Sequence, residues 1–430
     1  MEHIVIIGNG ISGVTVARNI RKLSTKKITL ISSESEYFFS RTALMYVFMG
    51  HLKFEHTQPY ENDFWKKNNI DLIFNHVVNV DADEKKLVFK DDSSLSFDKL
   101  VIASGSKSNK FGWKGQHLYG VFCLYSKPDL DKLEELAIGC KRAVVVGGGL
   151  IGIELVEMLL SRNIKVTFLV REKSFWNSVL PFEESQLLNR HILEHQVDLE
   201  LETSLDEINS DGFGNVKSIK TDKGEIIECD MVALTVGVSP NVDFLKNSTI
   251  DIGIGVKVNR FLETNIKDIF AIGDCAEQIQ PNKNRNNIEA VWYTGKMMGE
   301  TLAQTICGKP MEYNPGNWFN SAKFFDIEYQ TYGWVFSNPT ENEAQFYWEH
   351  QSGKIAIRIS YDKNNRVFLG INTFGIRMKH AFFDTVLNNK ETVDYVLKNL
   401  KKANFDPEFY KRYENEIFQS FQINNTIINA

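Results

Sequence analysis

Two stretches of the chain share one arrangement of apolar and small residues. HIVIIGNGISGVTVARNI spans His3 to Ile20, and AVVVGGGLIGIELVEMLL spans Ala143 to Leu160. Each opens with a short β-branched run, passes through glycines and continues with apolar residues at helical spacing. Each then reaches a second apolar run, KITLIS at 27–32 and KVTFLV at 165–170. The pattern predicts strand, helix, strand twice over, the second glycine loop lying 139 residues after the first. Strands joined through a helix run parallel, with right-handed crossovers.

The segments after each unit alternate on a shorter period. LIFNHVVNV, KKLVFK and KLVIAS, within 71–102, predict a small antiparallel excursion that returns to the sheet. LELE, VKSIKT, EIIE and MVALTVG repeat that arrangement after the second unit. Residues 256–276 read as one or two strands ending in a tight turn. From about 316 the texture changes to aromatic-rich strands: WFNSAKFF, IEYQTYGWV, AQFYWEH, KIAIRIS and RVFLGIN. Helical stretches follow near 380–399 and 407–420. The expected fold class is α/β, with two Rossmann-like three-layer units and a C-terminal α+β domain.

Composition narrows the function classes. The chain has 430 residues, 43% hydrophobic and 24% charged, which suits about three globular domains. A net charge of −6 lacks the basic excess of a nucleic-acid binder. The five cysteines, at 123, 140, 229, 275 and 307, form no CxxC or CxxxxC pair, so neither a disulfide framework nor a metal site is expected. The first strand begins at His3 and no run of 18 apolar residues occurs, so the expectation is a cytoplasmic chain without a membrane span.

The glycine loops carry the chemistry. In Gly8-Asn9-Gly10-Ile11-Ser12-Gly13, the first glycine permits the turn, the second lets a pyrophosphate approach, and the third lets helix pack on strand. The phosphate then meets free N–H groups at the helix N-terminus. Glu34 stands 21 residues after Gly13, where an acid takes ribose hydroxyls, with Glu36 as the neighbouring candidate. The second loop supplies Gly147, Gly149 and Gly152. Its second strand ends in Val170-Arg171-Glu172, without an acid at 170. Arg171 there suits a 2′-phosphate, tilting the reading toward NADPH, or stands as an ordinary surface arginine.

LVIASGS at 100–106, LTVGVSPN at 234–241 and IFAIGDCAE at 269–277 accompany the two loops in order. The chain resembles the FAD/NAD(P)-dependent pyridine nucleotide–disulfide oxidoreductase superfamily over residues 1–310, with its glutathione-reductase-like fold. The resemblance implies FAD on the first loop and NAD(P)H as co-substrate on the second. It puts Val77, Ala103, Ser104, Gly105, Gly273 and Asp274 on the flavin side, with Asp274 at the ribityl chain. Gly237 falls on the NAD(P)H side. No cysteine lies in YFFSRTALMYVFMG, 37–50, and Arg41 occupies the position that ferredoxin reductases and nitrite reductase flavin domains use for the FAD pyrophosphate. Glu154 is then expected near the nicotinamide, although Tyr46 replaces its usual lysine partner. IEAVWYTGKMMG at 288–299 resembles the helix that points at the flavin pyrimidine, with Trp292 against the ring.

The implied domains are 1–112 with 236–312 for FAD, 113–235 for NAD(P)H, and 313–430 as an interface domain. The implied activity is hydride transfer from NAD(P)H to flavin N5, with electrons leaving directly to a ferredoxin- or rubredoxin-like protein or a small oxidant. The alternatives are a redox-gated interaction protein, like apoptosis-inducing-factor relatives, and a quinone-reducing NADH dehydrogenase. A monomer or homodimer is expected.

Overall fold

The computed structural model describes residues 1–405, 408 and 411–428. Positions 407, 409 and 410 of the second expected helical stretch lie outside the described residues. The helix itself runs Glu414–Ile428. Contacts divide the chain into two units. The first is Met1–Phe111, Phe122–Ile138 and Gly237–Pro315; the second is Gly112–Val121, Gly139–Val236 and Gly316–Ala430.

The first unit is built on a five-stranded parallel sheet. Its strands, in spatial order, are Ile269–Ala271, Lys99–Ile102, His3–Ile7, Lys27–Ser32 and Ile70–Phe74. Ile4, Val5 and Ile6 are all fully buried, the continuous apolar run that a sheet covered on both faces requires. Helix Ile11–Leu23 is the crossover between the first two strands of the chain. Val77–Asp81, Lys86–Phe89 and Ser94–Ser96 form the antiparallel excursion.

The second unit repeats this plan. Asp198–Leu201, Lys165–Val170, Arg142–Val146 and Met231–Leu234 are neighbours in that order, and Leu205–Ser210, Val216–Thr221 and Ile226–Glu228 make the excursion. The equivalent first strands, His3–Ile7 and Arg142–Val146, are 139 residues apart, as the repeat in the sequence requires. The same unit holds a five-stranded antiparallel sheet: Phe319–Phe324, Ile327–Gly333, Phe368–Phe374, Ala356–Asp362 and Glu343–Glu349. All five expected aromatic strands are there. The pattern had not marked strand Leu205–Ser210 or helices Lys127–Ala137 and Phe182–Glu194.

Helix Phe182–Glu194 meets the antiparallel sheet through a buried charged cluster. Arg358, on strand Ala356–Asp362, places Nε 3.3 Å from Glu184 and its other end on Glu183. Asn372 donates to Glu184 at 2.9 Å. Burial raises the Glu184 carboxyl to about 7 even though Arg358 pulls it down. No helix of the described residues is long and apolar enough to cross a membrane.

Candidate functional site

The two glycine loops have the same geometry. Gly8 and Gly147 hold φ of +108° and +117°, which disfavours other residues. A Cβ at Gly8 would collide with the Ala103 carbonyl, and one at Gly147 with the Thr235 carbonyl. The third glycines are tied back to the first: a Cβ on Gly13 would strike the Gly8 carbonyl, and one on Gly152 the Gly147 carbonyl. The middle glycines are different. Gly10 and Gly149 have no positive φ, and a Cβ there would meet nothing within 4 Å. Each is the N-cap of its helix without a side-chain cap, and neither helix has an acid in its first turn. Free N–H donors therefore face open space beside a residue that presents no side chain, a cradle for a pyrophosphate.

Around the first loop several of the expected FAD residues are held by short contacts. Ala103 donates its N–H to Ile7 and sits against Gly8. The Ser104 hydroxyl donates to Asn241 at 2.7 Å, and Gly105, at φ +68°, accepts from the Asn241 N–H. Gly273, at φ +73°, lies so close to Ser12 that a Cβ would hit its hydroxyl. Asp274 accepts from the Ser106 hydroxyl at 3.0 Å. Burial pushes the Asp274 carboxyl upward, against the pull of Ser106 and of the Arg41 charge. A carboxyl so placed suits a ligand rich in hydroxyls.

Glu34, expected at the ribose hydroxyls, and Arg41, expected at the FAD pyrophosphate, are a bidentate pair, with N–O distances of 2.8 and 2.6 Å. Arg41 also donates to the Tyr125 carbonyl and stacks over the Tyr125 ring at 4.4 Å. Burial works against the Arg41 charge, and Glu34 more than restores it. Glu34 further accepts from the Lys127 N–H, at the start of helix Lys127–Ala137. The Tyr125 hydroxyl accepts from the Ser106 N–H at 3.2 Å. A continuous path thus runs from Glu34 through Arg41, Tyr125 and Ser106 to Asp274. Tyr125 carried no sequence signal, being a lone aromatic before a helix cap.

Trp292 is the first residue of helix Trp292–Ile306 and is 39% exposed. Gly295 and Gly299 let that helix press on Ser12 of the first glycine-loop helix. Val77 is packed into the apolar core of the same unit. Gly237, at φ +87°, follows the end of the second unit's chain and lies beside Asn109.

In the second unit Glu154 sits in the first turns of helix Leu150–Ser161, half-buried. Burial, then the Glu157 charge, raises its carboxyl to about 7. Glu157 itself pairs with Lys323 at 3.0 Å. Val170 is fully buried, and a Cβ on Gly148 would press on it at 2.8 Å. Arg171 is 80% exposed and paired with Glu172 at 3.0 Å.

The family model described as pyridine nucleotide-disulphide oxidoreductase matches residues 2–298. An assimilatory nitrate reductase electron transfer subunit of Bacillus subtilis is 24% identical over 431 residues, 99% of this chain and 53% of the relative. The chain therefore spans about half the length of that relative. An NADH-rubredoxin oxidoreductase of Clostridium acetobutylicum is 29% identical over 316 residues, 72% of this chain and 76% of the relative. A solved ferredoxin reductase from Rhodopseudomonas palustris superimposes with a TM-score of 0.80 at 19% identity, covering 95% of this chain and 98% of that one. The chain belongs to the pyridine nucleotide-disulphide oxidoreductase family.

Proposed function

We propose that the chain is an FAD-dependent reductase that takes hydride from NAD(P)H and passes electrons directly to a small iron–sulfur or rubredoxin-type carrier. FAD, when bound, supplies the hydride acceptance and the one-electron release that no side chain here offers. The observation that carries the reading is the pair of uncapped helices behind Gly10 and Gly149, two pyrophosphate cradles on one chain.

In this reading Gly8, Gly10, Gly13, Ala103, Ser104 and Gly105 shape the flavin cradle. Asp274, held by Ser106, binds ribityl hydroxyls, and Arg41 binds phosphate, with Glu34 positioning it or turning to ribose. Val77, Gly273 and Trp292 complete that side. Gly147, Gly149 and Gly152 bind the coenzyme pyrophosphate, Gly237 and Glu154 lie toward its nicotinamide, and Arg171 is the candidate for a 2′-phosphate. The proposed domains are 1–112 with 236–312 for FAD, 113–235 for NAD(P)H and 313–430 at the C-terminal end, although by contacts segment Phe122–Ile138 goes with the first unit.

At four of the five cysteines thiol chemistry is a poor exit for the electrons. Burial raises the thiols of Cys123 and Cys275, and pushes Cys140 up to about 11 and Cys229 up to about 12. Thiols held protonated at neutral pH are weak nucleophiles. The names of the relatives support a protein acceptor, since two of them denote electron transfer to another protein or subunit. A cytoplasmic location fits this chemistry.

The test reduces the flavin-loaded chain anaerobically, then mixes it with an oxygen-free rubredoxin or plant-type ferredoxin or, separately, with oxygenated buffer. Reoxidation by at least one carrier protein much faster than by oxygen is expected. Reoxidation by oxygen alone contradicts the proposed acceptor class.

A further inference from the structure

His191 and His195 stand one turn apart at the end of helix Phe182–Glu194, His195 being its C-cap. Residues four apart share a helix face, and here their rings meet edge to face at 4.7 Å. Asp326 reaches the same spot from the turn between strands Phe319–Phe324 and Ile327–Gly333. His191 Nε2 lies 2.6 Å, and His195 Nε2 3.7 Å, from the same Asp326 oxygen, Oδ1. The three donor atoms all fall within 4.8 Å of one another.

The environment of His191 points to a ligand. The residue is 2% exposed, yet its Nε2 has no hydrogen-bond partner: it approaches Asp326 closely without hydrogen-bond geometry. The other ring nitrogen, Nδ1, sits 3.4 Å from Glu194 Oε2. A carboxylate beside the far nitrogen is the arrangement that supports metal-bound histidines. The His195 ring is held by stacking on Phe325, at 4.0 Å and 11°. Lys354 takes the second Asp326 oxygen, Oδ2, at 3.1 Å, which leaves Oδ1 as the single donor.

We propose that His191, His195 and Asp326 bind a zinc-class divalent ion, with water in the fourth position. Bonds of about 2.0–2.2 Å put tetrahedral donors roughly 3.3 Å apart. The observed separations of 2.6 and 3.7 Å from Oδ1 bracket that spacing. Nitrogen and carboxylate donors in this ratio suit Zn²⁺ better than Ca²⁺ or Mg²⁺, which take all-oxygen sites. The ion would pin the helix of the second nucleotide-binding unit to the antiparallel sheet. The cysteine spacing that argues against a metal site is silent on this one, because its ligands are histidines and a distant aspartate.

The test uses the full-length, flavin-loaded protein, stripped with EDTA and titrated with Zn²⁺ against a chromophoric chelator. One tightly bound ion per chain is expected, with a melting temperature that rises with zinc concentration. His195→Ala and Asp326→Asn, both at accessible positions, are each expected to weaken that binding at least about tenfold and to lose the thermal shift. A metal-free melting temperature matching that of metal-free wild type verifies that the variants are folded. Wild-type protein that binds no zinc at stoichiometric concentration, or variants that bind as tightly as wild type, overturns the proposal.

Discussion

Single glycines separate what the backbone needs from what a ligand needs. Gly152 is fixed by its own protein, since a Cβ there runs into the Gly147 carbonyl, whereas Gly149 faces open space. Gly152→Ala is expected to destabilise the chain by about 1–3 kcal/mol, the usual cost of overpacking. Gly149→Ala, which puts a poorer residue at the N-cap, should cost less than about 1 kcal/mol while raising KM for NAD(P)H. Urea unfolding and steady-state kinetics on the two variants check both halves. Equal destabilisation by both contradicts the division of labour.

Glu154 gives a pH signature at the same scale. Its carboxyl is raised to about 7 in the folded chain, against an ordinary value of 4.5. The folded state then binds more protons than the unfolded state between these values, so stability falls as pH rises through that window and levels off above it. Glu154→Gln removes this loss. Relative to wild type, the variant should gain on the order of 2–3 kcal/mol of stability between pH 5 and pH 8. A stability difference that is the same at both pH values rules out titration of Glu154 as the cause.

The residue scale also marks where sequence legibility stops. Glycine positions are readable because backbone sterics tie them to local spacing. The roles of Glu34 and Arg41 were assigned one at a time, but the fold joins them in one bidentate pair and adds Tyr125 from 84 residues away. Such partners come from tertiary approach, which spacing does not encode.

Among elements, the parallel strands were the easiest to read, because strands covered on both faces are nearly all apolar and are bounded by glycine turns. Strands Ser94–Ser96 and Leu205–Ser210 were not, since both are largely polar and sit in small antiparallel excursions. Helix Phe182–Glu194 escaped for a related reason: one face is apolar, but the face toward the antiparallel sheet carries Glu184 and His191. A buried charged contact reads in sequence like a solvated surface.

That contact is expected to matter for stability. Arg358 is 5% exposed and Glu184 fully buried. Arg358→Met leaves the carboxyl without its cation and should cost about 3–5 kcal/mol. Combining it with Glu184→Gln should recover part of the loss, because no buried charge is left alone. Denaturant midpoints for the two singles and the double measure the coupling; a loss under about 1 kcal/mol for Arg358→Met contradicts a structural role for the pair.

At the scale of the whole molecule, an internal repeat accounts for the architecture: one βαβ plan is used twice, with a third, antiparallel sheet added at the C-terminal end. The duplication was legible from the two glycine loops and the 139-residue offset. The C-terminal sheet was legible as strands, but its partner, helix Phe182–Glu194, was not, since the contact joins residues more than 170 apart. Two cradles on one chain make sense when one cofactor stays and the other comes and goes.

The direct test of that account is an anaerobic titration of the purified full-length chain with NADH and, separately, NADPH, followed by absorbance. The account predicts a yellow protein carrying one FAD per chain, bleached by about one equivalent of at least one coenzyme. A protein that stays colourless after incubation with FAD, or a yellow one that neither coenzyme bleaches, contradicts it.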